Sequence, residues 1–410
     1  MNSSITVIVG AGLAGAEAAF KLRECGYAGR IVLIGQEPWM PYDRPPLSKA
    51  YLKGVLATEH IWLHPETRYG DEDIEVRRST SVRRIQRDAR RVVLADGDTL
   101  AYDTLILATG GEARRFPASG GELQGVMTLK TLDDADHLAA RLESRPTVVV
   151  IGGGFIGLEF AATARLAHCD VTVVEDQPHI LSRTVSPVIA AYVHGEHVRQ
   201  GVKILTGTRV ERILGDAKVT AVELAGGQRL AADLVLVGIG NVPSDTLARE
   251  AGLVISDRGG IFVDDEGRTS DAHIYALGDC ASRLYPGLAM PLRLESVQCA
   301  YAQARRLAAS MTGQPQKSHE VPWFWSDQFD IKLQMAGLPL PGDHTLLRGD
   351  PASGKFSVIH HNPSALTAIQ CVNAPGDFVS AKKMIAANRS FPTELLTNTD
   401  QSMRDIARMA

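Results

Sequence analysis

Cysteine is scarce in this sequence and nowhere paired. Five occur in 410 residues, Cys25, Cys169, Cys280, Cys299 and Cys371, and no two stand in C-x-x-C spacing. Neither a disulfide framework nor a thiolate zinc site is therefore expected, no metal ligand set is assigned, and the five read as small buried hydrophobes. Long apolar runs are missing too: none reaches the roughly 18 residues of a membrane helix. Met1-Asn2-Ser3-Ser4 lacks the basic start of a signal peptide, so the expectation is a soluble cytoplasmic protein. There is no basic block, and 43 Lys and Arg against 47 Asp and Glu leave a net charge of −4. That balance argues against nucleic acid as the main partner. No repeat or low-complexity segment is visible.

Glycine, by contrast, is plentiful: 38 residues, in a chain that is 45% hydrophobic, a composition ordinary for an α/β protein rich in glycine turns. A chain of this length exceeds one compact core and predicts two or three domains. The N-terminal run Ile5-Thr6-Val7-Ile8-Val9-Gly10-Ala11-Gly12-Leu13-Ala14-Gly15 reads as a buried strand followed by a G-x-G-x-x-G turn. Ala16 to Cys25 then reads as a helix stopped by Gly26, and Arg30 to Ile34 as a second strand, with Gln36 and Glu37 just beyond it. This is the order of a dinucleotide-binding unit. Its glycines let the backbone approach a pyrophosphate at a helix N-terminus, and an acid beyond the second strand reaches a ribose.

A second copy follows. Thr147 to Ile151 reads as a strand, Gly152-Gly153-Gly154-Phe155-Ile156-Gly157 as the turn, and the helix carrying Glu159 runs to about Ala167. Val171 to Val174 then delivers Glu175 and Asp176, close to the roughly 20 positions expected between glycines and ribose acid. Two copies in proper context point to a flavoprotein holding two nucleotides. Glu175 accepts from a ribose 2′-OH and repels a 2′-phosphate, and no Arg or Lys follows until Arg183, so NADH is expected over NADPH.

Other stretches add to these sites. Four prolines between Pro38 and Pro46 stiffen a loop that presents Lys49, with Ser48 read as the cap of a short helix. Ala108-Thr109-Gly110-Gly111 and Leu234-Val235-Leu236-Val237-Gly238-Ile239-Gly240 are strand ends with glycine turns where the chain changes domain. Ala276-Leu277-Gly278-Asp279 places a carboxylate at a strand's C-terminal edge, where α/β sheets bind ligands. Ser296 to Met311 reads as a capped helix whose first amides, near Val297, suit negative charge. Ile331 to Met335, Phe356 to His360 and Leu366 to Val372 read as strands, and Ser380 to Asn388 as a helix.

Taken together, the paired glycine motifs, Arg44-Pro45-Pro46-Leu47-Ser48-Lys49, Ala108-Thr109-Gly110-Gly111, Ala276-Leu277-Gly278-Asp279-Cys280-Ala281 and Trp323-Phe324-Trp325-Ser326-Asp327-Gln328 resemble the NADH-dependent ferredoxin reductases of oxygenase systems. The resemblance covers nearly the whole chain. It implies an α/β, glutathione-reductase-like flavoprotein with two Rossmann-type nucleotide-binding domains and a small α+β C-terminal domain. The expected boundaries are 1–112 and 241–319 for FAD, 113–240 for NADH and 320–410 for the C-terminal domain. The FAD set is Gly10, Gly12, Leu13, Ala14, Gly15, Gln36, Glu37, Arg44, Lys49, Val82, Ala108, Thr109, Gly110, Lys130, Asp279, Val297 and Trp325. The NADH set is Gly152, Gly153, Gly154, Phe155, Ile156, Gly157, Glu159, Glu175, Arg183, Gly238 and Gly240. Lys49 and Glu159 are implied as a catalytic pair beside flavin N5.

Two positions depart from the family pattern. Gln36 stands where relatives commonly carry the ribose acid, leaving either Glu37 or the amide to make the contact. Lys130 stands at a position commonly Arg, without the forked geometry. The partner implied is a 2Fe–2S ferredoxin docking near Arg305 and Arg306, where basic groups meet an acidic protein, on a monomer, with a dimer as the alternative. Disulfide reductases relay through a cysteine placed after the first nucleotide unit, and none lies between Cys25 and Cys169. Electrons are thus expected to leave the flavin directly. Two rival readings stay open: direct NADH-dependent reduction of monodehydroascorbate or quinones, and a redox-switched binding protein resembling apoptosis-inducing factor.

Overall fold

The computed structural model describes residues 4–315 and 320–409; the expected boundary at 319 and the opening residues 1–3 lie outside them. Both glycine fingerprints form β–α–β units: β1 (Ile5–Val9), α1 (Leu13–Glu24) and β2 (Arg30–Ile34), then β3 (Thr147–Ile151), α2 (Phe155–Leu166) and β4 (Asp170–Val174). The first helix starts before the expected Ala16, and in both units the first turn is made of the last residues of the glycine motif. That follows from the motif's purpose, which is to put helix N–H groups at the turn itself.

The chain divides into two compact units, one of residues 1–43, 58–112 and 242–320 and the other of 44–57, 113–241 and 321–410. In the first, five parallel strands run in the order Ile274–Ala276, Thr104–Leu107, β1, β2, Ile74–Arg77. Alternation along the strands divides the core. Ile8, Ile31, Leu33 and Ile106 pack beneath α1 with Ala304, Leu307 and Ala308, while Val7, Val9, Val32, Ile34, Leu105 and Leu107 face the opposite layer. A sheet covered on both faces must be apolar on both, hence the unbroken β-branched runs. Ala16 and Ala19 of α1 are buried beside Ala304 and Ala308 of the helix Val297–Met311, small residues that let two helices approach closely.

The second unit repeats the parallel sheet in the order Lys203–Leu205, β4, β3, Leu234–Val237, Val126–Met127. It adds an antiparallel five-stranded sheet, Trp323–Gln328, Ile331–Gly337, Leu366–Val372, Lys355–His361, His344–Asp350. The helix Pro375–Ala386 covers that sheet through Phe378, Ala381 and Met384. It begins before the expected Ser380 because Pro375 occupies the first turn, where a missing N–H costs nothing. Among the described residues no helix is long and apolar enough to cross a membrane.

Candidate functional site

The two glycine turns share one geometry. Gly10 has φ +113°, and a Cβ there would lie 2.1 Å from the Ala108 carbonyl oxygen; Gly15 would meet the Gly10 oxygen at 1.9 Å. The same pair recurs as Gly152 (φ +106°), 2.4 Å from the Gly238 oxygen, and Gly157, 2.3 Å from the Gly152 oxygen. These four are required by the protein's own packing. Gly12 is different. Its φ is −82°, open to any residue, and a Cβ would meet nothing within 4 Å. Gly154, at φ −81°, would meet only the Gly238 oxygen at 4.0 Å. Neither helix has a side-chain cap or an acidic residue in its first turn. A glycine that the protein does not need, at a helix end left without an acid, is a cradle shaped for an outside anion. A pyrophosphate fits both.

In the first unit Gln36, Glu37, Ala108 to Gly110 and Asp279 follow the C-terminal ends of the parallel strands that neighbour that turn, while Val82 and Val297 open an antiparallel strand and a helix. A Cβ on Gly278 would stand 2.8 Å from the Ala14 Cβ, which brings the Gly278-Asp279 turn against the start of α1. Gly278 N–H donates to Gln303 Oε1 at 2.6 Å, and the Asp279 carbonyl accepts from Arg293 Nη1 at 2.9 Å. Thr109 Oγ1 donates to the Ser244 carbonyl at 2.6 Å, and the Gly110 carbonyl accepts from Ser244 N–H. Beyond β2, Gln36 is exposed while Glu37 is half-buried and accepts from the Tyr42 hydroxyl at 2.5 Å. Val82 opens the strand Val82–Gln86. Val297 opens the helix Val297–Met311, capped as expected by Ser296 Oγ, which accepts from Cys299 N–H at 3.1 Å. On that helix Arg305 makes a forked pair with Glu320 (2.7 and 2.8 Å from Nη2), and Arg306 Nε donates to the Asp265 carbonyl.

In the second unit Glu175 spans the turn it was expected to serve. Oε2 accepts from Gly153 N–H at 2.6 Å and Oε1 from Gln177 N–H at 2.9 Å. Burial, with like-charged Asp176 beside it, pushes the Glu175 carboxyl above its ordinary value, while Asp176 is held below its own by the shared hydrogen bond. Exposed Arg183 has Nη2 3.9 Å from where a Gly240 Cβ would sit. The Phe155 ring packs on Phe324 at 4.7 Å, Ile156 is exposed, and the Trp325 ring lies 5.6 Å from Trp323.

The second part of the proline loop, residues 44–57, belongs to this unit. Pro45–Ser48 forms one 3-10 turn, and its flanks are tied down. Arg44 Nη1 donates to the Lys130 carbonyl at 2.5 Å, Tyr51 hydroxyl to Asp136 at 2.6 Å, and Thr163 Oγ1 to the Ser48 carbonyl at 2.8 Å. So held, Lys49 Nζ meets Glu159 Oε2 at 2.7 Å, with the two side chains 19% and 7% exposed. Glu159 and Thr163 are one helical turn apart on α2, so both face the loop. Ser48 does not cap a helix: it ends the turn, and its hydroxyl donates to Glu159 Oε2 at 2.5 Å. Glu159 Oε1 accepts from Ser326 Oγ at 2.6 Å. Ser326 escaped the reading of the residues, although its place two positions before Gln328 on a strand signals a shared face.

Burial raises the thiols of Cys169, Cys280 and Cys299, and that of Cys371 to about 12, so none of these four is a ready thiolate.

The sequence matches the pyridine nucleotide-disulphide oxidoreductase family over residues 5–304 and the reductase C-terminal family over residues 323–407. Rhodocoxin reductase of Rhodococcus erythropolis is 43% identical over 399 residues, spanning 97% of this chain and 93% of its own. Putidaredoxin reductase of Pseudomonas putida is 41% identical over 98% of this chain and 97% of its own. The covalent putidaredoxin reductase–putidaredoxin complex matches with a TM-score of 0.96 at 39% identity, covering 100% of this chain and 99% of that one. With two glycine turns of one geometry and matches that run nearly end to end, the chain belongs to the pyridine nucleotide-disulphide oxidoreductase family, among its flavoprotein reductases with a reductase C-terminal domain.

Proposed function

We propose that this protein passes electrons from NADH through FAD, one at a time, to a 2Fe–2S ferredoxin that feeds an oxygenase. The observation that carries the reading is the pair of glycine cradles in one chain, each at an uncapped helix N-terminus. A flavin between a hydride donor and a one-electron acceptor supplies the chemistry; the protein supplies binding, orientation and charge. In this reading residues 1–112 and 241–319 hold FAD through the Gly10–Gly15 turn, Ala108 to Gly110, Asp279 and Val297, and 320–410 form the C-terminal domain. Residues 113–240 hold NADH on the Gly152–Gly157 turn. The acidic pair Glu175 and Asp176 favours a bare ribose over a 2′-phosphate.

Lys49 presents a fixed positive charge to the negative charge that a hydride brings, and Glu159 holds the ammonium in one place. The raised thiols support direct delivery to an outside acceptor. A ferredoxin is supported as that acceptor by the names of the relatives and by the structure of one of them joined to its redoxin. Arg305 and Arg306 belong to the docking face; the half-exposed Arg305–Glu320 pair is weak enough to exchange partners.

Rapid mixing of the FAD-loaded protein with NADH, then with purified 2Fe–2S ferredoxin, tests the proposal. Bleaching of the flavin followed by ferredoxin reduction at a catalytically competent rate is expected. Turnover with quinones or monodehydroascorbate but not with ferredoxin, or a cysteine pair that cycles, overturns it.

A further inference from the structure

Beyond Ser326 the hydrogen bonds continue inward. Ser326 Oγ accepts from Gln328 Nε2 at 3.1 Å, and Gln328 Oε1 lies 2.9 Å from His197 Nε2. His197 comes from the helix Pro187–Arg199, Ser326 and Gln328 from one face of the strand Trp323–Gln328, and Glu159 from α2. His197 and Ser326 are fully buried and Gln328 nearly so. Polar groups this deep persist only when their partners are fixed, and each then constrains the next.

The chain has a direction. With its NH2 turned to Ser326, Gln328 offers its carbonyl to His197, so the imidazole carries its proton on Nε2. His197 Nδ1 has no hydrogen-bond partner among the described residues; as an unprotonated acceptor it is tolerated, whereas an orphaned N–H is rare. Burial lowers the His197 pKa, which keeps the ring neutral with one N–H to place. Each donor therefore points toward Glu159: His197 to Gln328, Gln328 to Ser326, Ser326 to Oε1. Ser326 fixes the carboxylate plane, and Oε2 is left to Ser48 and Lys49.

We propose that Ser326, Gln328 and His197 are positioning residues for the hydride step, a one-way relay that locks the Glu159 carboxylate and through it the Lys49 ammonium. The inference rests on the reading of Lys49 and Glu159 given above. Freed from Ser326, the carboxylate rotates and carries the ammonium with it, and displacements on the order of 1 Å at a reacting centre cost large factors in rate.

The test uses the FAD-loaded protein and two readouts. Nitrogen-15 spectra of labelled histidine, with His197 assigned by its loss in His197→Phe, should show a neutral ring protonated at Nε2. In stopped-flow reduction by NADH, Ser326→Ala should lower the limiting rate at least about tenfold, the lower end of what one hydrogen bond to a charged group is worth, with the NADH dissociation constant within about twofold. Ser326→Thr should recover most of the rate, and Gln328→Leu should fall between. Glu159→Gln combined with Ser326→Ala should be no slower than Glu159→Gln alone, since both act through one carboxylate. A proton on Nδ1, multiplying effects in the double variant, or an unchanged rate in Ser326→Ala overturns the relay. If Lys49→Ala and Glu159→Gln leave the rate unchanged, the reading of the pair falls first and the relay's role falls with it. If they slow the reaction and Ser326→Ala does not, the relay alone is refuted.

Discussion

Substituting alanine for Gly154 should separate coenzyme binding from folding. The backbone there has φ −81°, and the new methyl group would meet no protein atom nearer than the Gly238 oxygen at 4.0 Å. Folding should lose little: alanine in place of the glycine N-cap costs about 1 kcal/mol. A pyrophosphate lying against that turn would notice, because the methyl group occupies its line of approach to the α2 amides. Losing one charge-assisted hydrogen bond is worth about 1.5–3 kcal/mol, or a roughly 10- to 150-fold rise in dissociation constant.

Gly152→Ala is the control. With φ +106° and a Cβ 2.4 Å from the Gly238 oxygen, it forces strained backbone and steric overlap together, on the order of 3 kcal/mol of lost stability. Calorimetric titration with NAD+ and urea unfolding of the FAD-loaded variants measure the two quantities. The expected pattern is weak binding with normal stability for Gly154→Ala, and lost stability for Gly152→Ala. Normal NAD+ affinity in Gly154→Ala would show that no pyrophosphate passes that glycine. Equal destabilisation of the two variants would refute the packing argument.

Other consequences can be measured in parallel. Lys49→Ala should slow flavin reduction about 10²-fold, the scale of losing one preorganised electrostatic contact, while NADH binding changes far less; equal effects in stopped flow would remove Lys49 from the chemistry. Because burial raises the Glu175 carboxyl, it takes up a proton on acidification sooner than a free glutamate. NADH affinity should therefore weaken as pH falls from above the ordinary carboxylate range, and a flat titration profile in Glu175→Gln would identify the group. Arg305→Glu should raise the apparent KM for ferredoxin and leave turnover with ferricyanide intact. Its pairing with Glu320 is half exposed and worth no more than about 1 kcal/mol, so loss of both activities would mean misfolding instead of failed docking.

Local order in the chain was enough to read both nucleotide-binding units. The spacing of Gly10, Gly12 and Gly15 and of Gly152, Gly154 and Gly157 is a pattern within one β–α turn, and at Gly15 and Gly157 the clearance that demands glycine lies inside that turn. The clearance at Gly10 and Gly152 is set by Ala108 and Gly238 on a neighbouring strand end, which only the fold supplies. Glu175 was legible from local order too, since one helix and one strand separate it from its turn. Lys49 and Glu159 were joined by family resemblance alone, because no local rule relates residues so far apart in sequence. The packing of the proline loop on α2 brings them to 2.7 Å.

Ser48 shows the limit most plainly. By local rules it was a helix cap, whose oxygen would accept from a backbone N–H. Yet it closes the 3-10 turn Pro45–Ser48 and its hydroxyl donates to the buried Glu159 carboxylate, a charge that needs donors once it is out of water. Ser326, Gln328 and His197 carry no chemical signature as a string of letters. Only the folded chain, by stacking a strand, α2 and a third helix around one carboxylate, gives their polar atoms nowhere else to turn.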